Sequence, residues 1–148
     1  MVTELLIQHF KNNLHVFEQN TEGISHEESL MKITADASSI NWITGHITVT
    51  RDRMLELLGK QKICSSEMVE KYKRGSPVLV PESATAFDTI TSLFYQSQKI
   101  LVDALMDYDF TSQKELVLKI SFFGFHESYH CGQLGLLRRF TGKEGKIK

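Results

Sequence analysis

An all-α fold carried by four long helices is the prediction for this chain, and three observations lead to it. Apolar residues recur at three- and four-residue steps through four long stretches. Only two prolines occur, Pro77 and Pro81, and both fall in one connection. The chain has 148 residues, within the single-domain range, so one core should bury roughly 68–70% of the surface that the unfolded chain exposes. With no internal repeat, low-complexity tract or second pattern, residues 1–148 are expected to form a single domain.

The first helix, about residues 3–19, sets Leu6, Phe10, Leu14 and Phe17 on one stripe, and Glu4 suits the positive end of its dipole. Asn20 to Asp36 is polar and reads as irregular, except that Ser25-His26-Glu27-Glu28 has the spacing of a capping box and allows one short turn. The second helix, about 38–58, turns Ile40, Ile43, Ile47, Met54 and Leu58 inward and stops at Gly59. Residues 60–82 form a long connection with a short helix expected from Ser66 to Arg74, before the Gly75-Ser76-Pro77 break. The third helix, about 83–107, carries Phe87, Ile90, Phe94, Leu101 and Leu105, with a polar gap at Ser97 and Gln98 that would border a cavity. The fourth is expected from Ser112, where Ser112-Gln113-Lys114-Glu115 again has capping-box spacing, to Phe140, with Arg138, Arg139 and Lys143 at its negative end and Gly142 ending it. Inside it Gly124, Gly132 and Gly135 each cost about 1 kcal/mol relative to alanine, so each should mark a close approach of another backbone or a ligand.

Composition narrows the function. The 17 basic and 18 acidic side chains nearly cancel and are spread along the chain, which gives no field to hold a nucleic-acid backbone. No apolar run approaches the ~20 residues of a membrane span, and Met1-Val2-Thr3-Glu4 lacks the basic region, greasy stretch and cleavage site of a secretory signal. A cytoplasmic protein with no membrane partner is the expectation. Cys64 and Cys131 are isolated, without CxxC spacing, and read as reduced, partly buried thiols.

The chemistry points to histidine. His126 and His130 stand one helical turn apart on the buried stripe Ile120, Phe123, His126, His130, Leu134 and Leu137. Residues i and i+4 share a helix face, so two ring nitrogens can converge on one ion about 2.0–2.1 Å away. His46, beside Ile43 and Ile47 on the inward side of the second helix, offers a third. Three imidazoles in an aliphatic core would each need a partner or cost about 1–3 kcal/mol, and a shared divalent cation satisfies all three. Neutral imidazoles suit zinc, nickel, copper or iron, and three protein ligands leave a position for water or substrate.

His126-Glu127-Ser128-Tyr129-His130 also matches the HExxH pattern of zinc proteases. That match is read as accidental, because Gln133 and Leu136 occupy the offsets where a metzincin needs glycine and histidine. Only 18 residues follow His130, and their sole acid, Glu144, lies in a charged tail. Glu127 is therefore expected at solvent, beside the ligands or at an interface rather than as a general base.

Asn41-Trp42-Ile43-Thr44-Gly45-His46 in the second helix and His126-Glu-Ser-Tyr-His-Cys-Gly-Gln-Leu-Gly-Leu-Leu-Arg-Arg139 in the fourth resemble the two signatures of the DinB-like (YfiT-like) superfamily of damage-inducible metalloenzymes. The resemblance spans nearly the whole chain. It implies a four-helix bundle of up-down-down-up topology, often a homodimer, holding a divalent metal such as zinc or nickel on His46, His126 and His130. Members with known activity use low-molecular-weight thiols, so the resemblance implies a thiol S-transferase acting on a small-molecule electrophile. Two other readings use the same site: a metal-dependent hydrolase, and a non-catalytic bundle that binds metal or a small ligand. No residue points to a particular thiol or identifies a catalytic group.

Other conspicuous residues have plainer expectations. Cys131 projects ~100° from His130 around the helix and is a poor fourth ligand. Trp42 is expected in core or interface packing, and Tyr129 off the ligand face in packing or a dimer contact. Gln133, three residues after His130, is placed to hydrogen-bond a water on the metal. His9 should reach the core stripe, His15 and His26 should be solvated, and Arg51 and Arg53 are expected at the surface.

Overall fold

The computed structural model describes residues 1–147, which form six α-helices and one 3₁₀ turn, with no strand among them. The elements are α1 (Val2–Thr21), α2 (His26–Ser29), α3 (Ile40–Leu57), α4 (Ser66–Tyr72), the turn Pro81–Ser83, α5 (Phe87–Asp107) and α6 (Lys114–Phe140). The all-α expectation holds, and each of the four long predicted stretches is a helix.

Where boundaries differ, local chemistry explains it. Ser25 forms its capping box, accepting from Glu28 N at 3.1 Å while the Glu28 carboxylate accepts from Ser25 N at 2.8 Å, which yields the single turn α2. The equal spacing at Ser112 does not form one. Ser112 sits at φ 63°, outside the extended region that a capping serine needs, and α6 begins two residues later behind Gln113 without a side-chain cap. Residue 83 likewise belongs to the 3₁₀ turn. The backbone is then extended at Ala84 and outside helical values at Ala86, so α5 starts only at Phe87. His26 is half-buried rather than solvated, because its Nδ1 accepts the Phe87 N–H at 3.2 Å and so caps α5.

The helices α1 and α3 each pack on both α5 and α6, and the short α4 docks on α3. One core cluster gathers Phe17, Ile43, Ile47, Phe94 and Leu134, and another Phe10, Met54, Leu55, Leu101 and Ile120. A third, of Val49, Met68, Tyr72, Leu79 and Ile90, forms under α4. At Gly124 and Gly135 the close neighbour is a side chain of α1 rather than the backbone or ligand expected: a Cβ on them would stand 3.1 Å from the His9 ring and 3.2 Å from the Asn20 amide. Gly132 has no such neighbour among the described residues, and a Cβ there would meet open space.

A charged layer lies inside the bundle. Arg51, expected at the surface, is fully buried, and its guanidinium grips the Glu127 carboxylate through Nε at 2.7 Å and Nη2 at 2.8 Å. Its Nη1 donates to Ser97 Oγ at 3.1 Å and to the Phe94 carbonyl at 3.3 Å. The polar gap at Ser97 and Gln98 is thus filled by packing, with both residues buried. Arg53, as expected, is exposed.

Candidate metal centre

Three ring nitrogens meet where α3 faces α6. His126 Nε2 lies 3.3 Å from His46 Nε2 and 3.1 Å from His130 Nε2, and the ligand atoms of all three residues fall within 4.8 Å of one another. Two nitrogens each ~2.05 Å from a tetrahedral ion stand about 3.3 Å apart, so the spacing is that of ligands around one cation.

The hydrogen bonds on the far side of two rings support this. His46 Nδ1 is 2.8 Å from the Tyr72 carbonyl and His130 Nδ1 is 2.7 Å from Gln133 Oε1. A carbonyl oxygen only accepts, so both Nδ1 atoms carry the proton and both Nε2 atoms present lone pairs to the cluster. One proton on His126 Nε2 cannot serve two facing lone pairs well, whereas a cation satisfies all three nitrogens. His126 Nδ1 is buried with no partner among the described residues. Burial lowers the pKa of all three imidazoles, that of His130 to about 4, and the neighbouring rings push His126 and His130 further down. The rings are therefore neutral at pH 7 and ready to bind a metal.

Each part of the α3 segment has a task in holding His46. Trp42 stacks on its ring, with centroids 4.7 Å apart and planes 8° from parallel, and donates from Nε1 to Ser76 Oγ at 3.2 Å. Gly45 leaves room for Tyr72, whose ring atoms lie 2.3–2.6 Å from where a Cβ would be. The Tyr72 hydroxyl donates to Asn41 Oδ1 at 2.8 Å and accepts from Thr85 N at 2.9 Å, which seats α4 so that its last carbonyl meets His46. Gln133 holds the His130 ring from behind, rather than reaching a water on the open side as its spacing suggested. The Tyr72 contact lies 26 residues from His46, and no spacing rule in the sequence announces it.

On the open side a cleft of about 190 Å³ is walled by His46, His126, Val49, Val69, Phe122 and Phe123, with the exposed Arg53, Lys73 and Arg74 at its edge. Among the described residues no carboxylate lines it. A larger hollow of about 520 Å³ adjoins it, sharing Arg53, Phe122 and Phe123. Glu127, the acid of the HExxH match, is 2% exposed with both oxygens committed to Arg51, so it is neither solvent-facing nor free to act as a base. Cys131 points its Sγ toward the Asn13 carbonyl of α1 at 3.7 Å and takes no part in the cluster. Cys64 is half-buried against Asp52, and burial together with that carboxylate pushes its thiol up to about 12. Tyr129 is exposed on the outer face of α6.

Compared with known proteins, the chain matches no family model and no curated protein. No described helix is long and apolar enough to cross a membrane. By fold and site the molecule is an all-helical protein with a three-histidine cluster able to hold a metal ion.

Proposed function

We propose that the chain is a DinB-like metalloprotein, with zinc or nickel held by His46, His126 and His130, that transfers a low-molecular-weight thiol to a small electrophile in the cytoplasm. The carrying observation is the convergence of three Nε2 atoms, two of them aimed by acceptors on the opposite ring nitrogen. Helix contacts support an up-down-down-up course. Ile40 and Phe87 share one cluster while Leu58 and Leu105 share the other, so α3 and α5 run together. His9 meets Ser128 and Asn20 meets Cys131, so α1 and α6 run together as well.

When bound, the metal would lower the pKa of an incoming thiol and hold the thiolate. The chain's own residues do the rest. Val49, Val69, Phe122 and Phe123 shelter the apolar part of the substrate, and Arg53, Lys73 and Arg74 favour acidic groups on thiol or electrophile. The thiol gives its proton to solvent, its sulfur forms a bond to the electrophilic carbon, and the leaving group departs with the bonding pair. Neither cysteine of the chain can replace the external thiol, one being buried and the other held protonated.

The hydrolase reading needs a base at the metal, and among the described residues no carboxylate lines the cleft, while Glu127, the acid of the HExxH match, is occupied by Arg51. A purely structural metal would be closed by a fourth protein ligand, and among the described residues the cluster has three members. Elemental analysis of tag-free protein, followed by a thiol panel with a chromogenic haloarene, tests the proposal. One divalent ion per chain, lost in His130→Ala, together with metal-dependent thiol consumption supports it. Protein that takes up no metal overturns it, and metal without thiol turnover overturns the transferase reading.

A further inference from the structure

A furrow leads away from the histidine cluster between α3 and α6. The two helices run antiparallel, since His46 meets His126 at one level and Met54 and Ile120 share a core cluster at another. On α3 the steps from His46 through Val49 and Arg53 to Leu57 are three or four residues each, and so are those on α6 from His126 through Phe122 and Leu118 to Glu115. Both series therefore keep to one side of their helices, over eleven residues or about 16 Å. The cleft of about 190 Å³ occupies the near part and the hollow of about 520 Å³ the far part, with Arg53, Phe122 and Phe123 in the lining of both. Ligand pockets usually measure about 300–1,000 Å³, so the cleft alone is small for two reactants and the hollow supplies the missing room.

The hollow is apolar below and charged at one end. Leu57, Leu118 and Phe122 line it while 39–62% exposed, and among the described residues only α3 and α6 contribute to its walls. Arg53 stands at the neck without an ion-pair partner among the described residues, and Lys73 and Arg74 add positive charge on the cluster side. The far end has no excess of either sign, because Glu56 is matched by Lys62 at 3.1 Å and Glu115 stands one helical turn from Lys119. We infer that the furrow binds an amphiphilic carboxylate, a small molecule whose acid pairs with Arg53 and whose alkyl or aryl tail lies on Leu57, Leu118 and Phe122. A single free guanidinium matches a single carboxylate in two parallel hydrogen bonds. From Phe123 to Glu115 is eight residues, about 12 Å, which is the reach of roughly ten alkyl carbons. Resting on the transferase reading, this ligand is the electrophile: its acid at the neck leaves the neighbouring carbon beside the thiol in the cleft, and its tail is what the hollow selects.

Binding is tested first in metal-free protein, with anilinonaphthalene sulfonate as a fluorescent reporter. Decanoate should displace the dye, and affinity should rise about two- to fourfold per carbon from hexanoate to decanoate. Leu118→Glu and Leu57→Glu, both at exposed positions that leave the core intact, should each weaken decanoate about tenfold. Arg53→Gln should weaken it roughly two- to fivefold. Leu136→Glu, exposed on the same helix but outside the furrow, should change nothing. In metal-loaded protein, α-bromodecanoate then tests the electrophile role: the thiolate sulfur bonds to the α-carbon and bromide leaves with the bonding pair. It should consume thiol about tenfold faster than α-bromopropionate, an advantage lost in Leu118→Glu. Decanoate that fails to displace the dye, as it would if a second copy covered the hollow, overturns the inference. So does binding that ignores tail length or is as tight in Leu118→Glu as in wild type. Tail-dependent binding without turnover overturns the transferase reading instead and leaves the carboxylate site standing.

Discussion

Gln133 touches nothing on the open side of the cluster and still governs it, because its carbonyl fixes both the tautomer and the angle of the His130 ring. Partners of this kind typically carry 10–100-fold in metal affinity, so Gln133→Leu should weaken metal binding by that factor in a chelator competition, with little change in the fold. At the same scale, Cys64 should be nearly inert. With its thiol raised to about 12, almost none is thiolate at pH 8, where a free cysteine of pKa ≈ 8.5 is already about a quarter ionised. Alkylation by iodoacetamide should therefore be more than a hundredfold slower than for a model thiol, and should rise about tenfold per pH unit between 8 and 11. The three clustered histidines were legible from sequence because they fall on apolar stripes where an unpaired imidazole has no good alternative. The burial of Arg51 was not, since Glu127 lies 76 residues away and neither residue's own neighbourhood reports the pairing.

Between elements, the Arg51–Glu127 pair ties α3 to α6 through desolvated charges. Such a pair adds little net stability over a well-packed apolar replacement, but losing one partner strands the other. Glu127→Ala should therefore cost about 3–5 kcal/mol in urea denaturation, whereas Arg51→Met with Glu127→Leu should come close to wild type. Gly45→Ala acts on a different joint. Its methyl would occupy the place of the Tyr72 ring, forcing α4 off α3 at a cost of about 1–3 kcal/mol and removing the carbonyl acceptor from His46. Unfolding curves and metal titration of that variant should shift together. Helix interiors were readable because a 3.6-residue period repeats over many turns. Helix starts were less so: the same four-residue spacing caps α2 at Ser25 and is idle at Ser112, where the turn before the helix sets the backbone angle.

Taken as one molecule, the protein joins α3, α4 and α6 at the histidine cluster, so an ion bound there stabilises the folded state as a whole. At a free concentration a hundred times its dissociation constant, the ion adds ~2.7 kcal/mol, which in a chain of this length is roughly 5–10 °C in Tm. Chelation should lower the melting temperature of wild type by that amount and leave His46→Ala unmoved. Mutual helix packing was legible from the stripes; the docking of α4 and the free face of α6 were not. The first rests on one tyrosine in a polar connection, and the second is invisible to periodicity because α6 is apolar on nearly every side.

The stacking of Trp42 on His46 has a practical consequence. As the chain's only tryptophan, lying flat against a ring of the histidine cluster, it would make the protein its own optical sensor. Nickel or copper entering the cluster should quench the indole emission strongly. Zinc should merely shift its intensity, so a fluorimeter and a series of salts can reveal which ions enter before any substrate is known.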